Sequence, residues 1–224
     1  MPNRTRRSLS AFSWILGIFL LLAAPAFATT LYDNGASNTT DGYSIYGSNA
    51  LADDFSIGGG GTIASVGFYF QNFNGITGWN QDITYRFLAD NGGQPGSELA
   101  SGSGQNLLAV DSGLPWCCAG GNAYLVTFDL PSAFVAAAGT TYWLELSGAT
   151  GGDNAYWVTA NANATNPGYW GGTLNTGRQF AFFLSDTPTG SQVPEPSSVV
   201  LSGLGLMAVG ALRIRARLAK SRKA

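Results

Sequence analysis

The sequence predicts an all-β domain over residues 29–186, built as a single two-sheet sandwich of the jelly-roll type. Short segments alternate apolar and polar residues with the period of two that is typical of half-buried strands. Turn sequences rich in Gly, Asn, Asp and Pro separate these segments. No helical period is found between the two end segments of the chain, except that a single turn is expected over Ser132 to Ala138. Eight or nine strands in a domain of this length favour a sandwich.

The clearest predicted strands each place their apolar residues on one face. In chain order the core-facing sets are Val66, Phe68 and Phe70; Ile83, Tyr85 and Phe87; Tyr124, Val126, Phe128 and Leu130; and Tyr142, Leu144 and Leu146. Two more segments, Tyr156 to Val158 and Phe180 to Leu184, complete the set. Turns are predicted at Asp90 to Gly96 and at Gly151 to Asn154, so the strands are expected to pair around one core.

Residues 1–28 have the layout of a signal peptide. Three arginines precede an apolar stretch, Ala11 to Ala24, and Ala26-Phe27-Ala28 follows with the small-x-small pattern that signal peptidase reads. Cleavage after Ala28 is the expected outcome. An uncleaved membrane anchor is the alternative, which the short apolar stretch disfavours.

A second apolar segment lies near the other end of the chain. Val199 to Leu212 would rise only about 21 Å as a helix, against a hydrocarbon core of about 30 Å. Extended from Ser197 to Ile214, the helix reaches about 27 Å and crosses a membrane marginally, with the basic cluster after it on the cytoplasmic side. The alternative, a buried amphipathic helix, is disfavoured because the apolar residues run all round the helix.

The motif Val193-Pro194-Glu195-Pro196 stands directly before this helix. Motif, apolar helix and arginine cluster, in this order, resemble the PEP-CTERM sorting signal over residues 193–224. The resemblance implies recognition by an exosortase, a membrane-embedded cysteine transpeptidase of Gram-negative bacteria, which cuts near Pro-Glu-Pro and removes the helix. It also implies transient residence in the inner membrane, followed by the cell surface or the extracellular space.

The body of the chain resembles a group of exported bacterial β-sandwich domains that often carry this tail. The similar stretches are LADDFSI, YRFLADNGGQPGSELA, TYWLEL and RQFAFFLSD. This resemblance implies a fold and no catalytic residues. The expected organisation is a signal peptide at 1–28, the β-sandwich at 29–186, a polar linker at 187–192 and the sorting signal at 193–224.

Charge is unevenly distributed along the chain. Between Thr29 and Gln192 there are twelve acidic residues and two basic ones, Arg86 and Arg178, so the exported body has a net charge of −10. Such a field repels phosphate backbones and anionic lipid. Nucleic acid is therefore not an expected partner.

The chain contains no histidine, which excludes Ser-His-Asp triads, Cys-His dyads and His-based zinc sites. Glycoside hydrolysis by two carboxylates survives this test, but among Asp53, Asp54, Asp82 and Glu145 no spacing selects a pair. We therefore expect no enzymatic activity and no obligatory cofactor. For Asp53 and Asp54 two interpretations stay open: calcium ligands, or turn and strand-edge acids bonded to backbone amides.

Cys117 and Cys118 are adjacent and are the only cysteines. A strained vicinal disulfide is the favoured interpretation in an oxidising compartment, and free thiols or a bridge to another molecule are the alternatives.

Four aromatic residues are candidates for stacking on saccharides: Trp79, Trp157, Tyr169 and Trp170. Packing in the sandwich core is the competing interpretation for each ring. Two functions follow. The first is a cell-surface or matrix protein that is processed by exosortase and associated with exopolysaccharide. The second is a carbohydrate-binding module with an aromatic site assisted by calcium.

Overall fold

Two antiparallel β-sheets pack face to face in the computed structural model, which describes residues 29–73, 75–117, 121–151, 155–161, 167–175 and 177–189. The predicted signal peptide and sorting signal lie outside these residues. In chain order the strands are β1 (Thr30–Asp33), β2 (Ser37–Ser44), β3 (Leu51–Ser56), β4 (Gly61–Asn72), β5 (Thr84–Asp90), β6 (Pro95–Ser103), β7 (Gln105–Pro115), β8 (Asn122–Ala136), β9 (Thr141–Ser147), β10 (Ala155–Ala160), β11 (Tyr169–Trp170), β12 (Thr173–Leu174) and β13 (Phe182–Ser185). A 3₁₀ turn at Ile76–Gly78 follows β4.

The strand order is that of a jelly roll. One sheet contains the order β2-β10-β4-β8, and the other contains β3-β9-β5-β6, so that consecutive strands β2 to β5 alternate between the sheets. Strand β7 extends the first sheet beside β8, and β13 joins β4 next to β10 with β1 outside it. Strands β11 and β12 extend the second sheet beyond β3. The predicted all-β sandwich is confirmed.

The core lies between the sheets where the alternating pattern places it. Val66, Phe68 and Phe70 of β4 are fully buried, and so are Phe87 of β5 and Phe128 of β8. Burial of each such side chain stabilises the fold by roughly 1.5–3 kcal/mol relative to exposure. Rings from both sheets meet in the core, for example Tyr85 of β5 and Phe128 of β8, which stack with centroids 5.9 Å apart.

The strand count and one local prediction were wrong. Thirteen strands occur in the described part of the chain, where eight or nine were expected. The strands that the sequence did not single out are β1, β2, β3, β6, β7, β11 and β12. Strands β6 and β7 lie at sheet edges and are mostly exposed, so they lack the apolar alternation that a buried face imposes. Ser132 to Ala138 is not a helical turn, since β8 continues through Ala136 and pairs with β4 there.

A buried carboxylate connects the two sheets. Asp53 of β3 is fully buried on the inner face of the second sheet. Its Oδ2 accepts hydrogen bonds from the Phe180 backbone N–H, at 2.5 Å, and from Asn34 Nδ2, at 3.1 Å. Asn34 Nδ2 also donates to the Phe180 carbonyl, at 2.8 Å. Three segments far apart in sequence are therefore held in one closed network.

The first residues of the predicted linker are attached to the domain. The Thr187 carbonyl accepts a hydrogen bond from Ser65 Oγ at 2.7 Å, and Thr189 Oγ1 donates to Asp129 Oδ1 at 2.7 Å. The Thr29 backbone N–H donates to Asp186 Oδ1 at 2.8 Å, which places the two ends of the sandwich side by side. Residues 190–192 lie outside the described part.

Replacing Asp53 by Asn should lower the free energy of unfolding. It should also remove the part of the pH dependence of this free energy that comes from the titration of Asp53. Burial raises the pKa of Asp53 well above its usual value, and hydrogen bonds from Phe180, Asp54 and Asn34 offset part of this effect. Because the pKa in the folded state exceeds that in the unfolded state, the stabilising contribution of Asp53 is complete at low pH and is lost as pH rises through the folded pKa. The amide also presents an NH₂ group to N–H donors, at a cost of about 1–3 kcal/mol.

Urea unfolding of both proteins from about pH 4 to pH 8 measures this effect. We expect the advantage of the wild type over Asp53→Asn in free energy of unfolding to shrink as pH rises. A constant difference across that range would contradict the titration of Asp53.

Candidate functional site

A cleft opens at one rim of the sandwich, where the edges of the two sheets come together. Strand β2 is the edge of the first sheet and contributes Tyr43. The β11–β12 hairpin is the edge of the second sheet and contributes Tyr169 and Trp170. The cavity has a volume of about 530 Å³, within the range of small-ligand sites. Its remaining lining is mostly small and polar, and includes Ser44, Ser48, Asn49, Gly171 and Gly172.

Stacked aromatic rings form one wall of the cleft. The centroids of Tyr43 and Trp170 are 4.1 Å apart with an interplanar angle of 31°. Phe180 lies beneath both rings, at 6.2 Å from Tyr43 and 5.7 Å from Trp170, and it stacks on the buried Trp157 at 4.6 Å. The surface pair is thus supported by rings that belong to the core, which limits its freedom to move.

The hairpin that carries Trp170 has a turn only two residues long. Gly171 and Gly172 have φ of +61° and +81°, the left-handed conformation that two-residue turns between antiparallel strands require. A Cβ at either position would meet no heavy atom within 4 Å, so glycine serves the backbone here and not the packing. Tyr169 and Trp170 point to opposite faces of the second sheet, since they are adjacent in a strand.

Tyr43 is oriented by charged neighbours. Arg178 pairs with Asp41, and the guanidinium carbon of Arg178 lies 5.9 Å from the centroid of the Tyr43 ring. The Tyr43 hydroxyl donates to Asp41 Oδ2 at 3.3 Å. Burial raises the pKa of Tyr43 and the charge of Asp41 raises it further, so the phenol remains a neutral hydrogen-bond donor.

Glu145 is the charged residue in the cleft lining. It lies in the middle of the second sheet, in register with Ala52 on one side and Arg86 on the other, and Ala52 is paired with Tyr169 in turn. Tyr169, Ala52 and Glu145 therefore lie in one row across the sheet, and both Tyr169 and Glu145 line the cleft. Burial raises the pKa of Glu145, Arg86 lowers it and Glu98 raises it.

An arginine fixes one oxygen of the Glu145 carboxylate. Glu145 Oε1 lies 3.2 Å from Arg86 Nη1, close enough for an ion pair although the geometry is not that of a hydrogen bond. Arg86 Nε lies 3.5 Å from Glu98 Oε2, and Ser101 Oγ donates to Glu98 Oε1 at 2.6 Å. Glu145 is therefore held at Oε1 by a network of side chains on the outer face of the second sheet.

Two of the four predicted stacking residues are not in the cleft. Trp79 is buried against Phe70, at 4.5 Å, and donates its ring N–H to the Asp82 carbonyl. Trp157 is fully buried and donates to the Ala181 carbonyl. Saccharide stacking is wrong for both, because neither presents a ring face to solvent. Tyr169 and Trp170 do line the cleft, and their stacking on a saccharide stays a prediction.

Sequence reasoning missed Tyr43 and singled out Glu145 only as one of several carboxylates. Tyr43 lies in a polar strand, SNTTDGYS, that gives no apolar alternation. The sequence does contain a signal for Glu145. This carboxylate lies between apolar residues in strand β9, TYWLELS, and Arg86 lies between apolar residues in strand β5, TYRFLAD. Opposite charges in neighbouring strands are the expected mark of a cross-strand pair.

The acids Asp53 and Asp54 do not converge on one point. They are adjacent in β3 and point to opposite faces, and both oxygens of Asp53 accept hydrogen bonds from N–H groups. Within the described ranges, no three acidic or cysteine side chains form a group suited to a metal ion. Calcium binding stays a prediction, and Asp53 has the connecting role described above.

Cys117 is disulfide-bonded, and its backbone N–H donates to the Thr39 carbonyl at 3.1 Å. Cys118 lies outside the described residues, so its pairing with Cys117 stays a prediction. The predicted membrane helix also lies outside them, as does the motif Val193 to Pro196. Among the described residues, none of the helical segments has the length and hydropathy of a membrane span.

Comparison with known proteins identifies the sorting segment. A family model described as the PEP-CTERM protein-sorting motif matches residues 192–216. No curated protein and no solved structure matches the chain. Fold and motif together define an exported β-sandwich protein with a C-terminal sorting signal. The chain is a substrate for exosortase, which processes it during passage through the membrane.

Replacing Pro194, Glu195 and Pro196 together by Ala should block this processing. The variant lacks the residues of the sorting motif, and Ala removes the restriction that proline places on helix formation. We expect the variant to remain in the inner membrane at nearly full length, as measured by mass spectrometry of membrane and extracellular fractions.

The wild type, expressed in parallel, is the control. Its extracellular form should lack residues 201–223. Recovery of wild-type protein outside the cell with those residues still attached would contradict removal of the segment.

Proposed function

We propose that this is a cell-surface or extracellular-matrix protein whose jelly-roll domain stays associated with exopolysaccharide through the rim cleft. The observation that carries the proposal is the cleft at the meeting edges of the two sheets, which is lined by the aromatic rings of Tyr43, Tyr169 and Trp170 and by the carboxylate of Glu145. Sorting by exosortase delivers the domain to the compartment where such polymers lie.

The chemistry of the cleft suits a sugar. Aromatic faces stack on the apolar C–H face of a pyranose ring, while neighbouring polar groups bond its hydroxyls. The cleft offers ring surface on Tyr43, Tyr169 and Trp170, and polar groups on Ser44 and Glu145. Gly171 and Gly172 carry no side chain, so a polymer has space to approach the hairpin backbone.

Support from the core makes the site ready before the ligand arrives. Phe180 and Trp157 hold Trp170 and Tyr43 from beneath, and Asp41 with Arg178 holds Tyr43 from the side. A site that is already ordered loses less conformational entropy on binding. The ordered support of these two rings therefore favours a binding role for the cleft over imperfect packing at the edge of the sandwich.

We propose binding and not hydrolysis. A two-carboxylate mechanism needs a second acid facing the first at about 5–9.5 Å. Of the described residues that line the cleft, Glu145 supplies the sole carboxylate. The neighbouring Glu98 is bound to the other side of Arg86, on the strand beyond it.

The proposed route begins with signal peptidase, which removes residues 1–28. The remaining chain is held in the inner membrane of a Gram-negative envelope by its C-terminal segment until exosortase acts. The mature domain then resides at the cell surface or in the matrix. Its net charge of −10 keeps it soluble and separate from anionic lipid.

Replacing Trp170 or Tyr43 by Ala should weaken binding to the polysaccharide by about tenfold. Loss of a stacking ring removes roughly 0.5–1.5 kcal/mol beyond the buried area. Affinity electrophoresis of the exported protein through gels containing the organism's own exopolysaccharide, and a glycan array, measure the effect.

Phe73→Ala is the matched control, since Phe73 is an exposed aromatic residue that lines no part of the cleft. It should bind like the wild type. Equal retention of all four proteins would show that the cleft is not the binding surface, and wild-type protein that binds no glycan would remove the polysaccharide role.

A further inference from the structure

We infer that the polysaccharide bound in the rim cleft carries free amino groups, so that an ammonium group of an amino sugar pairs with Glu145. This inference rests on the proposed function, and it adds a chemical class of ligand that the aromatic wall alone does not define. Any pyranose can stack on the rings of Tyr43 and Trp170. The charges around Glu145 favour those pyranoses that carry a positively charged group.

The first step of the argument is the state of the Glu145 carboxylate. Its Oε1 faces Arg86 at 3.2 Å, and among the described residues no group donates a hydrogen bond to its Oε2. The side chain is 14% exposed, and it belongs to the lining of the cleft. The carboxylate thus presents one oriented, unsatisfied acceptor to a ligand.

The second step is the balance of charge beside that acceptor. Arg86 is shared by Glu145 and Glu98, so the three side chains together carry a net charge of −1. The other arginine of the domain, Arg178, is paired with Asp41. No Lys or Arg belongs to the described lining of the cleft, and the two arginines near it, Arg86 and Arg178, are already paired with acidic residues.

The third step is the field of the whole domain. Twelve acidic and two basic residues between Thr29 and Gln192 attract a cationic polymer and repel an anionic one. At the site itself, an ammonium group makes a charge-assisted hydrogen bond with Glu145 Oε2, about twice as strong as a bond between neutral groups. A neutral N-acetyl group or a hydroxyl can bond the same oxygen, but it lacks the attraction between opposite charges that the ammonium group adds.

The test compares three sets of oligosaccharides of equal length on the exported protein by calorimetry: glucosamine oligomers, N-acetylglucosamine oligomers and uronic acid oligomers. We expect the glucosamine oligomers to bind about tenfold more tightly than the acetylated ones in low salt, and the uronic acid oligomers to bind least. Added salt should reduce the preference, because it screens partly exposed charges.

Two variants locate the effect. Glu145→Gln should abolish the preference for glucosamine oligomers and keep the weaker binding of acetylated ones, which also shows that the variant is folded. Asp111→Asn removes the same charge from the exposed edge strand β7, outside the cleft, and should keep the preference.

The outcomes separate this inference from the function on which it rests. Equal binding of amino and acetylated oligomers, or a preference that survives in Glu145→Gln, would overturn the inference and leave saccharide binding intact. Tightest binding of uronic acid oligomers would also overturn it. If no oligosaccharide binds, the proposed function fails with it.

Discussion

The hydrogen bonds of the buried Asp53 side chain are the interaction on which the rest of this structure depends. This side chain lies between the two sheets, and it accepts hydrogen bonds from Asn34 and from the backbone of Phe180. A buried carboxyl group is tolerated when hydrogen-bond partners such as these satisfy its oxygens. The network therefore fixes the backbone of Phe180, whose ring supports Trp170 and Tyr43 at the surface. A requirement of the core thus determines the shape of the rim cleft.

The cleft is a product of two sheet edges, and neither edge forms it alone. Tyr43 comes from the first sheet and Trp170 from the second, while Glu145 is set back by one strand, behind the small residue Ala52. Edge strands usually need protection against pairing with other chains. Here one edge strand is two residues long and turns back through Gly171 and Gly172, which leaves Tyr169 and Trp170 half-buried and presents little backbone to pair.

The sequence predicted the parts of the fold that a buried face governs. The alternation in VGFYF and in TYWLEL defined the core of both sheets, since burial on one side imposes a period of two. Strands β6 and β7 escaped prediction because an exposed edge imposes no pattern. Tyr169 and Trp170 were singled out for their ring chemistry, whereas Tyr43 joins them through tertiary packing of a distant, polar strand. Trp79 and Trp157 show the converse, because composition does not tell a core ring from a surface ring.

The central claim is that the two sheet edges form a binding site for an extracellular polysaccharide. A crystal structure of the processed protein soaked with glucosamine oligosaccharide tests it most directly. The account predicts an oligosaccharide along the aromatic residues of the cleft, with one of its amino nitrogens within hydrogen-bonding distance of Glu145 Oε2. An empty cleft, or ligand bound only on the outer face of the first sheet, would contradict it.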